Sequence, residues 1–444
     1  MNILVVGGGA REHAICDAVI RSKNATLYSV MSNLNPGISR LAKEHLIEKE
    51  TNISSIVDYA KNKHINLALI GPEAPLEKGL ADALTQQGIK VCAPTQNAAR
   101  IETDKEYMRN LVKQYKISGQ LRYETFTDAK KAKKFIEELH GNVAIKPIGL
   151  TGGKGVRVAG DHFTGTTQAL SYVDEVINQK IGGTAKVLIE EKAEGEEFTI
   201  QGFSDGFRIL PLPAVQDHKR LLPDDQGPNT GGMGSYSCKN KLLPFLPKKD
   251  YDQAVRIIQK VIQALHTEKC PYVGPIYGQF MLTKDGPKII EFNARFGDPE
   301  AMNVLPLLKN DFIELCSLMI EGKLAEKKLE IEEKSTVCKY VVPEGYGVKS
   351  MVGEKIHVDE QAIKKTNALL FYASVNKKDD DIVTLSSRSL AVVGVSDELA
   401  DAEKICEQGL AQITGDHIFI RHDIGTKTLL EKRIRHMNII RGKL

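Results

Sequence analysis

Along its first hundred residues the chain switches repeatedly between two hydrophobic periods. Short apolar runs at 3–6, 26–31, 67–70 and 89–92 are each followed closely by Gly, Pro, Asn or Ser. Runs of that length between turn formers read as strands. Between them, 12–22, 53–63 and 76–87 space their apolar residues as helices do. Strands alternating with helices predict βαβ units and a parallel sheet, with ligands beyond the carboxyl ends of its strands.

Ala93-Pro94-Thr95 closes this unit, and a helix is predicted over Asp104 to Tyr115. A second α/β pattern follows, with strands near 122–125, 143–146, 156–159 and 187–190 around helices at 127–139 and 166–180. Longer β-rich segments at 196–203, 207–217, 276–283 and 287–292 come next, with a helix over about 250–268. Beyond Leu329 the strands 336–342, 368–374 and 390–395 read as a small α+β module. The expected fold class is α/β. An N-terminal parallel α/β domain spans 1–102, a central domain 103–328 with a subdomain at about 122–190, and a C-terminal α+β domain 329–444.

Composition narrows the function classes. Of 444 residues, 42% are hydrophobic and 26% charged, which excludes a disordered or fibrous chain. Lys and Arg number 60 against 57 Asp and Glu, a formal net charge of +3. That balance gives no electrostatic ground for a nucleic-acid partner. No apolar run approaches the ~20 residues of a membrane span, and no signal-peptide pattern precedes Ile3-Leu4-Val5-Val6. The seven cysteines are scattered and never spaced as CxxC, so reduced thiols are expected, with neither disulfides nor a zinc site. The expectation is a soluble cytoplasmic protein with no membrane and no obligate protein partner.

Four segments carry candidate chemistry. Gly7-Gly8-Gly9-Ala10-Arg11-Glu12-His13 joins a strand to a helix. A dinucleotide site there would lack its third glycine and the acidic residue after the second strand. A plain structural turn stays open, and so does a sugar-phosphate or small-anion site, which Arg11 favours. Gly71-Pro72-Glu73 would open onto the same crevice. Lys146 to Val156 holds Gly149, Gly152, Gly153 and Gly155 beside Lys154. It lacks Walker A spacing but suits a hairpin lid over a polyphosphate. In Ile289 to Glu300, strand alternation puts Glu291, Asn293 and Arg295 on one face and Ile290 and Phe292 in the core. Two oxygen ligands beside a guanidinium suit Mg2+ holding phosphates, with Gln279 joining them if the preceding strand pairs in register. Asp217, Lys219, Asn229 and Gly231 belong to a charged, glycine-rich loop able to hold a small zwitterion.

In this order, GGGAREHA (7–14), GPEAPL (71–76), TDK (103–105), GLTGGKGV (149–156), QDHKR (216–220), GPNTGGMG (227–234) and EFNARFGDPE (291–300) closely resemble the phosphoribosylamine–glycine ligase (glycinamide ribonucleotide synthetase) family of ATP-grasp enzymes. The resemblance runs nearly end to end. It implies an ATP-grasp domain whose subdomain at about 122–190 is a mobile lid, and ligation of glycine to 5-phosphoribosylamine through glycyl phosphate. ATP would be held by Lys105 and Lys146, by a lid of Gly152, Gly153, Lys154 and Gly155, and by the linker Glu190, Glu191 and Ala193, with Glu190 beside the adenine amino group and Glu197 on the ribose. Gln279, Glu291 and Asn293 would ligate Mg2+ or Mn2+. Arg295, Lys219 and Asp217 would be catalytic, with Asn229 and Gly231 beside them on the small substrate. Gly9, Arg11 and Glu73 would hold phosphoribosylamine. Two other readings stay open here: another ATP-grasp ligase or carboxylase of the purine pathway, and a silent nucleotide-binding module.

Overall fold

The structure, a computed structural model, describes residues 1–149, 155–379 and 381–443. Five parallel strands form the N-terminal sheet in the order Glu44–Ile47, Thr26–Met31, Asn2–Val6, Leu67–Ile70, Lys90–Val91. The chain leaves Asn2–Val6 first to one side and later to the other. The carboxyl ends of Asn2–Val6 and Leu67–Ile70 therefore flank a topological switch point, where such sheets bind ligands. Gly7–Gly9 and Gly71–Pro72 begin there. The helix read over 76–87 is two, Glu73–Glu77 and Leu80–Gln86, parted at Gly79 where φ is +80°.

An antiparallel sheet of nine strands runs through the central and C-terminal parts. Its order is Gly286–Asn293, Val273–Thr283, Glu196–Asp205, Ile209–Asp217, Gly234–Ser237, Ser335–Pro343, Leu390–Ser396, Leu369–Tyr372, with Ile418–Ile420 also on Ser335–Pro343. The C-terminal strands expected as a separate module are thus hydrogen-bonded into the central sheet through Gly234–Ser237. Residues 123–191 make a sheet of their own, Tyr123–Phe126, Val187–Glu191, Val143–Pro147, Arg157–Val158. Two amphipathic helices, Ala129–Glu138 and Thr166–Gln179, cover it around a private core of Phe126, Phe135, Ile145, Tyr172 and Ile189. A cavity of about 500 Å3 lies between this small sheet and the large one. The cysteines are unpaired. No helix among the described residues is long and apolar enough to cross a membrane.

Candidate active site

The hairpin of Val273–Thr283 and Gly286–Asn293 forms one wall of the cavity. Its register sets Gln279 opposite Glu291 and Tyr277 opposite Asn293, so the three expected oxygen ligands share a face. The register then slips by one residue, because Phe280 pairs with Ile289. Ile290 is that bulge. Simple alternation put it in the core; the bulge instead turns it toward the cavity, and Ile289 takes the core position. The Gln279 amide donates to Glu197 Oε2 at 2.7 Å, while its Oε1, in a side chain 1% exposed, has no partner. A buried carbonyl oxygen without a donor is costly unless something supplies positive charge. Asn293, oriented with its nitrogen toward Glu102 Oε1 (3.1 Å), keeps its oxygen for the same face. Burial works against ionised Glu291, but Lys219, Lys146, Lys105 and Arg295 surround it and hold its carboxyl below the usual range. Among the described residues no three His, Cys, Asp or Glu side chains cluster as a metal cage. One carboxylate and two amide oxygens do fit a hard cation that takes its other ligands from phosphate and water.

The cations opposite are held by secondary structure. Lys105 opens the helix Lys105–Gln114, capped by the Asp104 carboxylate on the Tyr107 amide, and its Nζ donates to Gly149 O at 2.8 Å. Lys146 ends its strand 2.8 Å from Glu190. The Glu190 carboxylate also accepts from Arg109 Nε at 2.6 Å, and neither Arg109 nor Glu190 is more than 1% exposed. Both carboxylate oxygens are therefore committed to protein cations. Its side chain thus ties the linker to Arg109 and Lys146, which leaves the backbone of the linker for the expected place beside the adenine amino group. Glu191 and Ala193 continue along the cavity with apolar Met108, Leu121, Val158 and Met281 nearby. Gly155 accepts from the Tyr172 hydroxyl at 2.6 Å. Gly152, Gly153 and Lys154 lie outside the described residues.

Deeper in, Asp217 and Glu300 face each other. Burial raises both carboxyls above the usual range, and their mutual repulsion adds to it for Asp217. Asp217 Oδ1 has no partner, whereas Glu300 accepts from the Tyr277 hydroxyl at 2.9 Å. Lys219 sits 3.3 Å from Glu197. Arg295 binds Glu102 (2.9 Å) and Glu73 (3.5 Å), tying the central sheet to the N-terminal domain. The Asn229–Gly231 segment folds back on Lys219, whose carbonyl accepts from Thr230 N at 2.7 Å. Arg388, from the loop before Leu390–Ser396, clamps it by donating to Gly231 O at 2.7 Å.

A second cavity, about 320 Å3, opens at the N-terminal switch point among Gly8, Gly9, Arg11, Pro72, Asp298 and Ser374. Its glycine loop is not an open phosphate cradle. Gly7 N donates to Val30 O (2.8 Å), Gly9 N to Glu12 Oε2 (2.8 Å), and Arg11 Nε to Glu12 Oε1 (2.6 Å). Glu12 fills the turn from within. A Cβ on Gly71 would stand 2.0 Å from Glu12 Oε1, so glycine there makes room for this carboxylate. Gly9 N is thus taken up by Glu12, while Gly9 and Arg11 line the cavity.

Sequence reasoning gave no part to Arg109, Glu102, Glu300, Asp298 or Arg388. For Asp298 and Glu300 the signal was present in FGDPE and went unused; for the others charge alone said nothing of burial. Comparison with known proteins agrees with this layout. The phosphoribosylglycinamide synthetase N domain, ATP-grasp (A) domain and C domain match residues 1–102, 103–301 and 336–427. Phosphoribosylamine–glycine ligase of Methanothermobacter thermautotrophicus is 51% identical over the whole of both chains. That of Methanocaldococcus jannaschii is 49% identical over 99% of this chain and all of the relative. The crystal structure of phosphoribosylamine–glycine ligase from Thermotoga maritima superposes with a TM-score of 0.80 at 25% identity, covering 95% of this chain and 100% of that one. The biotin carboxylase domain of 2-oxoglutarate carboxylase from Hydrogenobacter thermophilus shares the fold (TM-score 0.73, 14% identity, 98% and 93% covered). With all three domain models matched in order, the chain belongs to the phosphoribosylglycinamide synthetase family, built on the ATP-grasp fold.

Proposed function

We propose that this protein joins glycine to 5-phosphoribosylamine at the expense of ATP, giving glycinamide ribonucleotide, ADP and phosphate, in the cytoplasm. The observation that carries this reading is the oxygen face of Gln279, Glu291 and Asn293 ringed by Lys105, Lys146, Lys219 and Arg295. A carboxylate does not condense with an amine at neutral pH, so glycine must first be activated. Moving a phosphoryl group onto an anion needs positive charge about the transferring oxygens and little covalent help.

ATP lies with its base along Glu191–Ala193 and its phosphates beside Lys105 and Lys146. Glu291, Asn293 and the orphaned Gln279 oxygen would hold Mg2+, or Mn2+ in its place, which would supply charge neutralisation to the phosphates. Asp217, with Glu300 behind it, receives the glycine ammonium group, and Arg295 and Lys219 steady its carboxylate as that becomes glycyl phosphate. Phosphoribosylamine enters by the second cavity, past Gly9 and Arg11, toward Glu73 on the wall of the first. Closure of the 123–191 sheet over the phosphates keeps water from the acyl phosphate.

Glycine labelled with heavy oxygen in both carboxylate positions tests the route. One label should pass into inorganic phosphate and one should stay in the amide. Unlabelled phosphate overturns the acyl-phosphate route. ADP formation without phosphoribosylamine-dependent product overturns the assignment of acceptor.

A further inference from the structure

The two cavities meet at one side chain. Among the described residues, Asp298 alone lines both the cavity with Glu291 and Lys219 and the one with Gly9 and Arg11. Its Oδ1 accepts from the Tyr340 hydroxyl and lies 3.3 Å from Arg388 Nη1. Its Oδ2 points the other way, 3.7 Å from where a Cβ on Gly9 would stand. Tyr340 comes from the strand Ser335–Pro343 and Arg388 from the loop before Leu390–Ser396, and Arg388 also packs over the Tyr340 ring at 4.6 Å. One oxygen is thus fixed by the C-terminal part of the sheet while the other faces the N-terminal cavity. Burial alone would favour the neutral acid, but Arg388, Arg11, the Tyr340 hydroxyl and Arg295 hold the carboxyl below the usual range. It is an ionised group at a junction, with one oxygen left for a proton.

We infer that Asp298 is the general base of the second step, taking the proton from the phosphoribosylamine nitrogen as the amide forms. The inference rests on the proposed function. The amine lone pair forms the bond to the glycyl carbonyl carbon, and the carbon–oxygen bond to phosphorus's oxygen breaks, so phosphate leaves with that electron pair. The nitrogen, now carrying one proton too many for an amide, gives it to Oδ2. Asp298 then passes it to departing phosphate or to water. No other co-reactant is needed. Arg388 and Tyr340 are positioning residues, acting through Oδ1.

Hydroxylamine separates the two steps, because it captures glycyl phosphate as the hydroxamate without entering the second cavity as a sugar phosphate must. Asp298→Asn should make hydroxamate from ATP and glycine within about threefold of the unaltered protein. With phosphoribosylamine, formed in the assay from ribose 5-phosphate and ammonia, its product formation should fall at least ~100-fold, the usual range for loss of a general base. Should that variant not fold, Tyr340→Phe keeps the carboxylate and removes one support; a fall of about tenfold is expected with hydroxamate formation unchanged. Equal loss of both reactions, or loss of neither, overturns the role. If the unaltered protein makes hydroxamate from glycine but no product with phosphoribosylamine, the proposed function itself fails and this role falls with it.

Discussion

Arg109→Met strikes the buried triad on which both the linker and Lys146 depend. Arg109 is fully buried and donates from Nε to Glu190 (2.6 Å) and from Nη2 to the carbonyls of Ile289 (3.0 Å) and Ile290 (3.1 Å), the bulge and its neighbour. Methionine keeps most of the packing and removes every donor. Glu190 is then left in the interior with Lys146 as its single cation. Removing one partner of a buried pair costs about 3–5 kcal/mol. The two carbonyls each lose a partner, at about 1 kcal/mol or more apiece, partly recovered by relaxation. A net loss of about 3–5 kcal/mol is a large share of the ~5–15 kcal/mol that holds a domain folded. At ~2–4 °C per kcal/mol for units of this size, the melting transition should drop by roughly 6–20 °C. Calorimetry on R109M, E190Q and R109M/E190Q decides the cause. If the loss is an uncompensated charge, neutralising Glu190 relieves it, and the double variant should be at least ~1 kcal/mol more stable than the two single losses added. Strict additivity, or a shift for R109M within 2 °C by the ~1 kcal/mol scale of an ordinary substitution, refutes the reasoning.

Other consequences follow from single contacts. Glu291→Gln keeps size and removes the one anionic oxygen of the proposed metal face, so turnover should fall at least ~100-fold with an unchanged nucleotide-free melting curve; full turnover at low Mg2+ would remove Glu291 from the site. His13 Nδ1 accepts from Tyr372 N at 2.9 Å, and burial with help from Arg40 pushes its pKa down to about 3. Between pH 6.5 and about 3 the unfolded chain therefore binds a proton that the folded one refuses, so stability should fall with acid by up to ~1.4 kcal/mol per pH unit. His13→Gln should flatten that slope in urea midpoints taken at pH 7, 6 and 5, and parallel slopes would exonerate His13. Gly71→Ala pushes Glu12 out of the glycine turn, so the Michaelis constant for phosphoribosylamine should rise about tenfold while those for ATP and glycine hold; an equal rise in all three would point to general unfolding instead.

Much of the fold was legible because buried parallel strands are unbroken apolar runs: 67–70 was read to the residue as Leu67–Ile70. Glu44–Ile47 escaped because an edge strand, half exposed, has no such run. Pro36–Leu41 escaped because its start lies in Asn35, whose side chain caps Gly37 and Ile38. The join between the central and C-terminal strands is Gly234–Ser237, four residues with too little pattern to register as a strand. The oxygen face was legible as polar residues at strand spacing, and the slip at Ile290 was not, since a bulge leaves no mark on alternation. Arg109 and Glu102 sit on helices where a charge ordinarily meets water; only the tertiary fold buries them.

The facing carboxylates Asp217 and Glu300 lead to a proton count. Both are buried and burial raises both carboxyls above the ordinary range, so the pair keeps a proton to higher pH than two exposed acids would. Lys219 lies close enough to pull the pair partly toward ionisation, and the Tyr277 hydroxyl donates to Glu300. The arrival of the glycine ammonium group beside the unpartnered Asp217 Oδ1 adds a further positive charge to those of Lys219 and Arg388, and favours the doubly ionised pair. Glycine binding should therefore release a fraction of a proton. Titration calorimetry at pH 7 in buffers of different ionisation enthalpy reads it directly, as an apparent binding enthalpy that varies linearly with the buffer's. Asp217→Asn removes one member of the pair, lowers the remaining acid's reason to hold a proton, and should abolish the dependence while weakening glycine. A binding enthalpy independent of buffer in the unaltered protein would mean that the pair is ionised before glycine arrives, and that Asp217 does not receive the ammonium group by exchanging it for a proton.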